Sequence, residues 1–279
     1  MRRGQIFKYR ISDRLKPEEA ALDYMNFAAY YDALTQNVEY EKRAARLHYL
    51  IRQYIRTETD GTLLTDLACG SGSLSEALAR LGYDVIGVDN SPAMLSRAME
   101  KKLQSGLPIQ YLCQDMRELD MFGTIDVTVC TLDSLNHLPG IADVQQVFDK
   151  VSLFAQPGGL FLFDMNTLYK HREILADKVF LYDLDDVFCA WENRLLEDGA
   201  TVEEQLTFFE REGESYFRTD EFITETAYPA EVIRDAVRKS GLELVAEFDA
   251  DKGLDTPEEL SPVTETTQRI LFAARKPLS

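Results

Sequence analysis

The chain has 279 residues, 45% hydrophobic and 28% charged, enough to bury a sizeable core without disulfide or metal staples. Its 48 acidic residues against 30 basic ones give a formal charge of −18, a surface that repels phosphate backbones and weighs against a nucleic-acid partner. No apolar run approaches the ~20 residues of a membrane helix, and Met1-Arg2-Arg3 does not lead into the apolar stretch of a secretory signal, so a cytoplasmic protein without a membrane partner is expected.

Residues 1–40 read as an N-terminal segment able to act as a lid. Its first part carries Arg2, Arg3, Lys8, Arg10, Arg14 and Lys16 with little other pattern, as a solvated tail or a first helix on an acidic body would. The aromatic residues that follow, Tyr24, Phe27, Tyr30, Tyr31 and Tyr40, are placed to cap a pocket or to pack. From Glu41 to Ile55, Ala44, Leu47, Leu50, Ile51 and Tyr54 recur at helical spacing.

The period then switches repeatedly, as in successive βα units. Strands are expected at Thr62–Ala68, Asp84–Asp89, Ile109–Cys113, Ile125–Cys130 and Leu160–Met165. Helices follow the first, second and fourth of these. The second helix opens on Ser91-Pro92, with serine at the cap and proline at the first helical position. After Asn166 the pattern changes to β-rich segments at 178–184, 187–196, 201–210 and 215–225, separated in part by Glu197-Asp198-Gly199 and Glu212-Gly213-Glu214. These predict antiparallel strands. A helix over Ala230–Ser240 and strands at Leu242–Phe248 and Arg269–Ala274 close the chain. The domain division is therefore 1–40, a core of 41–170 with 226–279, and a β-rich insertion of 171–225.

Cys69, Cys113, Cys130 and Cys189 form no Cys-x-x-Cys pair and read as buried free thiols of a reducing compartment. His48, His137 and His171 have no metal-ligand spacing, so no metal site is expected.

The chemistry is concentrated in Leu64-Thr65-Asp66-Leu67-Ala68-Cys69-Gly70-Ser71-Gly72-Ser73-Leu74, where a strand ends in an acid and a glycine-rich turn enters a helix at once. Glycine permits close backbone approach and positive φ, and a helix N-terminus directs free N–H groups at a ligand. A dinucleotide site uses a similar turn with an acid ~20 residues on, and Asp89 suits either class. That fingerprint, however, needs a third glycine where Ser75 stands and has no call for Asp66, which would be a poor neighbour for a pyrophosphate and a good one for an ammonium group.

Together with Val88-Asp89-Asn90-Ser91-Pro92-Ala93-Met94-Leu95, this segment resembles the first two motifs of class I S-adenosylmethionine-dependent methyltransferases. Gln114-Asp115-Met116 resembles that family's adenine-contacting motif, and Cys130-Thr131-Leu132-Asp133-Ser134-Leu135-Asn136 its segment beside the methyl group. The likeness covers about residues 40–165, and more loosely the final helix and strands. It implies a Rossmann-like, doubly wound α/β fold whose seven-stranded, mostly parallel sheet is ordered 3-2-1-4-5-7-6, with the β-rich stretch inserted after strand five. It assigns S-adenosylmethionine, leaving as S-adenosylhomocysteine, to Asp66, Ala68, Cys69, Gly70, Gly72, Asp89, Asn90, Asp115, Met116 and Leu132. Ala68 stands where many relatives have glycine. Tyr31 and Tyr40 resemble aromatic residues that close over the sulfonium, a contact favoured by cation–π attraction.

Each assignment has a plainer rival: a strand terminus for Asp66, a helix cap for Asp89 and Asp115, core packing for Met116, Tyr31 and Tyr40. Trp191 and the Phe208/Phe209 pair are expected to build the insertion's core. No catalytic constellation is legible. His137, Asp133 and Tyr31 are candidates, with Ser134 and Asn136 beside them at the switch point of the sheet. In-line methyl transfer draws on positioning and needs a base only if the nucleophile arrives protonated. Neither an Asp/Asn-Pro-Pro-Tyr/Phe motif nor a Pro-Cys pair follows strand four, which weighs against nucleobase acceptors. The expected activity is methylation of a nitrogen or oxygen on a small molecule by a monomer or homodimer. A protein or RNA acceptor, a silent cofactor-binding protein and a nicotinamide enzyme are the alternatives.

Overall fold

In β5 and its partners, odd and even residues alternate between two apolar layers, and this period of two builds the molecule's centre. The computed structural model describes residues 24–55 and 61–278; the basic stretch from Arg2 to Lys16 lies outside the described residues. The central sheet comprises β1 (Leu63–Leu67), β2 (Asp84–Asp89), β3 (Gln110–Cys113), β4 (Ile125–Cys130), β5 (Ala155–Asn166), β10 (Glu243–Asp249) and β11 (Arg269–Arg275), in the order β3-β2-β1-β4-β5-β11-β10. The first five strands run parallel, and β11 is antiparallel to both neighbours. This is the 3-2-1-4-5-7-6 order that the resemblance implied.

Phe161, Phe163 and Met165 of β5 share one layer with Ile270, Phe272 and Ala274 of β11. That layer is covered by α5 (Ile141–Phe154) through Val144, Val147, Phe148 and Val151, and by α6 (Ala230–Lys239) through Ile233, Ala236 and Val237. Leu160, Leu162, Leu271 and Ala273 face the other way, under α2 (Tyr40–Tyr54) and α3 (Ser73–Arg80). Phe163 stacks on Phe161 and Phe272 with ring centroids 4.6 and 5.0 Å apart. α4 (Pro92–Ser105) starts as expected, its Met94 N–H donating to the Ser91 hydroxyl.

The insertion is a separate antiparallel sheet, β6 (Val179–Asp183), β7 (Val187–Leu195), β8 (Thr201–Glu212) and β9 (Ser215–Thr226), paired in chain order. Its apolar face, with Val187, Cys189, Leu206, Phe208 and Ile223, packs on α1 (Tyr24–Leu34) and on Met94 of α4. Phe208 is buried there. Its neighbour Phe209 points to the opposite face, where Arg218 lies 6.0 Å from its ring centroid.

Four features depart from the reading of the sequence. α1 is a full helix, hidden because it packs on two sides and so shows no single apolar stripe: Phe27, Ala28 and Leu34 are buried between the inserted sheet and α4. β5 begins at Ala155, and Gly158 at φ +82° passes through what looks like a turn, beside a register irregularity with β4. A π-helical turn spans Lys170–Leu175. Cys113 is exposed, because β3 is the edge strand; the other three cysteines are buried, and all four are unpaired. Among the described residues no helix is long and apolar enough to cross a membrane.

Asn136, fully buried, fastens the loop after β4 to both sheets. Its Nδ2 donates to the carbonyls of Thr226 (2.9 Å) and Asn166 (3.3 Å), and its Oδ1 accepts from the Asn166 N–H (2.9 Å). Asn136→Ala strands three buried backbone groups and is expected to cost on the order of 2–4 kcal/mol, read as a fall of several degrees in Tm. A change within 1 °C would show that water takes over these bonds.

Candidate active site

β1 delivers Asp66 to the sheet's C-terminal edge, and the backbone then bends through three left-handed residues in five, Ala68 (φ +59°), Gly70 (φ +53°) and Gly72 (φ +77°). A Cβ on Gly72 would also collide with the Tyr111 hydroxyl oxygen. Ala68 accepts its conformation at a cost of roughly 1 kcal/mol, so the exchange of glycine for alanine here bears on strain as well as on space.

The bend is fixed from β2. The Gly70 N–H donates to Asp89 Oδ2 and the Ser91 N–H to Asp89 Oδ1, both at 2.8 Å. One carboxylate thus joins the glycine loop, the end of β2 and the start of α4. Burial raises its pKa above the ordinary value, against the pull of the Ser91, Gly70 and Asn90 N–H groups. Asp66 is 2% exposed and accepts a 2.6 Å hydrogen bond from Ser75. Burial pushes its carboxyl up to about 7; the Ser75 hydroxyl opposes that rise and the Asp89 charge adds to it.

A cleft of about 320 Å³, open to solvent, lies over the loop. Of the residues assigned from the sequence, Asp66, Ala68, Cys69, Gly70, Leu132, Tyr31 and Tyr40 line it, with Thr131 and Ser134. Gly72 turns the chain behind it, and Asp89 is reached through its bond to Gly70. Asp115 and Met116 stand further along the sheet edge. Asp115 caps the turn Met116–Glu118 by accepting from the Arg117 N–H (2.8 Å), and it pairs with the Arg117 guanidinium, which holds its carboxyl below the usual range. Met116 packs against the main core. Neither Asp115, Met116 nor Asn90 lines the cleft.

α1 closes one side. Asp32 accepts from Ser71 Oγ (2.6 Å), Ser73 Oγ (3.3 Å) and Lys101 Nζ (2.7 Å), which ties the helix to the glycine loop. The next residue back, Tyr31, reaches into the cleft beside Tyr40, and burial pushes the Tyr31 phenol well above its ordinary pKa. Both tyrosines are therefore neutral rings near neutrality.

On the other side, Leu132 and Asp133 are consecutive left-handed residues (φ +58° and +56°) that are not glycine. Asp164 holds them there, its two oxygens accepting from the Leu132 N–H (3.0 Å) and the Asp133 N–H (2.8 Å). Asp133 Oδ2 in turn accepts from Asn166 Nδ2 (2.8 Å) and Arg269 Nη2 (2.7 Å), with Lys170 Nζ at 3.6 Å. Burial works to raise the Asp133 pKa, and the Arg269 and Lys170 charges outweigh it, holding the group well below the carboxylate range. His137 is exposed, its Nε2 3.7 Å from Glu225 Oε1.

Asp32, Lys101, Asp164, Asn166, Arg269 and Glu225 escaped the reading of the sequence. Asp164 gave a usable signal: an acid inside the otherwise apolar run Leu160–Met165 is an informative buried polar residue. The Asp32 bonds join residues up to 69 apart and leave no local pattern.

Residues 64–159 match a family model described as "Methyltransferase domain". The Bacillus subtilis protein YqeM, named for a methyltransferase, is 33% identical over 257 residues, which is 91% of this chain and 97% of that protein. The crystal structure of an S-adenosylmethionine-dependent methyltransferase from Clostridium acetobutylicum is similar, with a TM-score of 0.78 and 32% identity, covering 91% of this chain and 99% of the other. The sugar N-methyltransferase KedS8 from Streptoalloteichus shares the fold at a TM-score of 0.69 and 18% identity, over 99% of each chain.

The raised Asp66 pKa makes a prediction for the ligand-free protein. Below pH ~4 both folded and unfolded chains hold the proton. Between pH ~4 and about 7 the unfolded chain releases it while the folded chain keeps it, so stability falls as pH rises. Asp66→Asn should therefore be more stable than the parent by on the order of 2–4 kcal/mol above pH 7, a gain that vanishes towards pH 4. A difference independent of pH in thermal unfolding would mean that the carboxyl titrates at its ordinary value.

Proposed function

The chain belongs to the class I S-adenosylmethionine-dependent methyltransferases, and on that premise we propose that it methylates a nitrogen or oxygen atom of a small-molecule acceptor. Bound S-adenosylmethionine supplies an electrophilic methyl group on a sulfonium centre. In our reading the residues of the cleft suit that cofactor. Asp66 offers a buried carboxyl with a hydroxyl partner, fit for the α-ammonium group. Asp89 has lone pairs beyond those used by Gly70 and Ser91 for the ribose hydroxyls. Ala68, Cys69, Gly70 and Gly72 bring backbone close, Asn90, Asp115 and Met116 serve the adenine end, and Leu132, Tyr31 and Tyr40 surround the sulfonium.

The chain's own work is then to bind and align. The neutral Tyr31 and Tyr40 rings favour a cation in the cleft. Asp133, held ionised by Arg269 and Lys170, orients neighbours and is a poor proton acceptor. His137, three residues after the cleft-lining Ser134, does not itself line the cleft; its Nε2 is turned towards Glu225.

The observation that carries the small-molecule reading is the roof. α1 is latched to the glycine loop by Asp32 and backed by the four-stranded sheet, so the opening suits a compact acceptor. The charge of −18 points the same way. KedS8, with the same fold, takes an acceptor of that size class, a sugar. The four unpaired thiols support a cytoplasmic setting.

Incubation with methyl-labelled cofactor and two substrate pools, a metabolite panel of amines and hydroxyl compounds and a protein and RNA extract, should place label in the small-molecule pool. Label confined to macromolecules would overturn the reading, and none in either despite tight cofactor binding would favour a silent binder. Asp89→Asn, whose one acceptor oxygen frees only one of the two N–H groups that Asp89→Ala would release, is the milder variant. It should weaken S-adenosylhomocysteine binding by about 10- to 100-fold, and unchanged affinity by calorimetry would remove the ribose contact.

A further inference from the structure

Where the two sheets meet, the chain gathers charge in a small volume. Asp133 follows β4, Asp164 and Asn166 end β5, Lys170 and His171 lie in the π-helical turn, Glu204 and Glu225 come from β8 and β9, and Arg269 opens β11. Asp164, Glu204, Glu225 and His171 are all buried. The two permanent cations are committed to one side of this group: Arg269 to Asp133 and, at 3.9 Å, to Asp164; Lys170 to Asn166 Oδ1 at 2.8 Å. Glu204 receives the Trp191 indole N–H at 3.1 Å, and Glu225 receives Asn166 Nδ2 at 2.8 Å. Burial first, then the Glu225 and Asp133 charges, push the Glu204 carboxyl well up.

His171 sharpens the point. Its Nδ1 lies 2.7 Å from the Ala200 carbonyl oxygen, and a carbonyl only accepts, so the ring hydrogen is on Nδ1. The other ring nitrogen, Nε2, is turned towards Glu225. That atom is fully buried, has no hydrogen-bond partner, and faces Glu225 Oε2 at 3.5 Å. A buried imidazole nitrogen beside a buried carboxylate is matched by positive charge, brought by a proton on the ring or by a metal ion on the carboxylate. On the other oxygen of the same carboxylate, Asp133, His137 and Glu225 each direct one ligand atom into a common space, all within 4.8 Å of one another.

We propose that this space binds one divalent transition-metal ion, with Asp133, His137 and Glu225 as ligands and His171 Nε2 facing the other oxygen of the Glu225 carboxylate from behind. Mixed imidazole and carboxylate donors without thiolate suit Zn²⁺ or Mn²⁺. Metal–ligand bonds of about 2.0–2.2 Å bring ligand atoms closer than the 3.7 Å now separating His137 and Glu225, and the exposed His137 side chain is free to make that movement. Asp133 brings Oδ1 to the ion, because all its hydrogen bonds are on Oδ2. Its chain neighbours Leu132 and Ser134 line the cleft, so a remaining coordination position would serve an acceptor atom. That last use rests on the acceptor reading above; the binding of the ion does not.

The test uses the full chain freed of metal by chelation, titrated separately with Zn²⁺ and Mn²⁺ by calorimetry and thermal unfolding, with S-adenosylhomocysteine affinity measured on the same samples. One ion per chain is expected, with a Kd below about 10 µM and a raised Tm. His137→Ala and Glu225→Gln should each weaken binding by about 10-fold or more, while Cys113→Ser, which removes the exposed thiol, leaves it unchanged. Co²⁺ added to the parent protein should give visible absorption without a thiolate charge-transfer band and should shift the proton resonances of His137 and His171, a readout that does not depend on the variants folding. No binding of either ion at 1 mM free concentration (about 100 times that Kd), binding unaltered in both variants, or binding lost in Cys113→Ser would each overturn the proposal. Retained S-adenosylhomocysteine affinity in those cases would leave the methyltransferase reading standing.

Discussion

The Asp89 carboxylate, caught between the Gly70 and Ser91 N–H groups at 2.8 Å, is the interaction on which the site's shape depends. Neither N–H has a place in a strand ladder, because each lies where the chain leaves the sheet. Without an acceptor they would be loose ends of the two loops that border the cleft. With it, the left-handed bend after β1 is held against the end of β2, and the helices that follow leave the sheet in fixed directions. The strain at Ala68 is tolerated inside that frame.

A second clamp works in the same way further along the edge. Asp164 grips the Leu132 and Asp133 N–H groups and keeps two ordinary side chains in left-handed backbone. Arg269 ties Asp133 and Asp164 to β11, and Asn136 and Glu225 carry the connection into the inserted sheet. The inserted sheet is therefore bonded to the C-terminal edge of the core through buried polar groups as well as through its apolar face on α1. Such a network is firm when every member is satisfied, and His171 Nε2, buried 3.5 Å from Glu225 Oε2, has no hydrogen-bond partner in it.

The core was legible because its strands and helices are long, its periods switch cleanly, and the glycine loop with Asp66 and Asp89 sits at element ends where few other arrangements fit. The four inserted strands were legible from their aromatic and β-branched content. α1 was not, since burial on two faces erases the stripe by which a helix is recognised. Asp32, Arg269, Asn166 and Glu225 were hidden for a different reason: each acts through partners more than 30 residues away, and a polar residue gives no sign of which distant group it will meet. The Asp133, His137 and Glu225 grouping is of this kind. Two members are four residues apart in one loop, and the third arrives from β9. Ligand spacing along the chain therefore understated what the fold assembles.

A crystal structure of the chain with S-adenosylhomocysteine tests the central claim most directly. The account predicts the ribose hydroxyls within hydrogen-bonding distance of Asp89, the α-ammonium group beside Asp66, and the sulfur between Leu132 and the Tyr31/Tyr40 pair. A nucleoside bound away from Asp89, or a cleft still closed by Tyr31 with the product bound elsewhere, would contradict it.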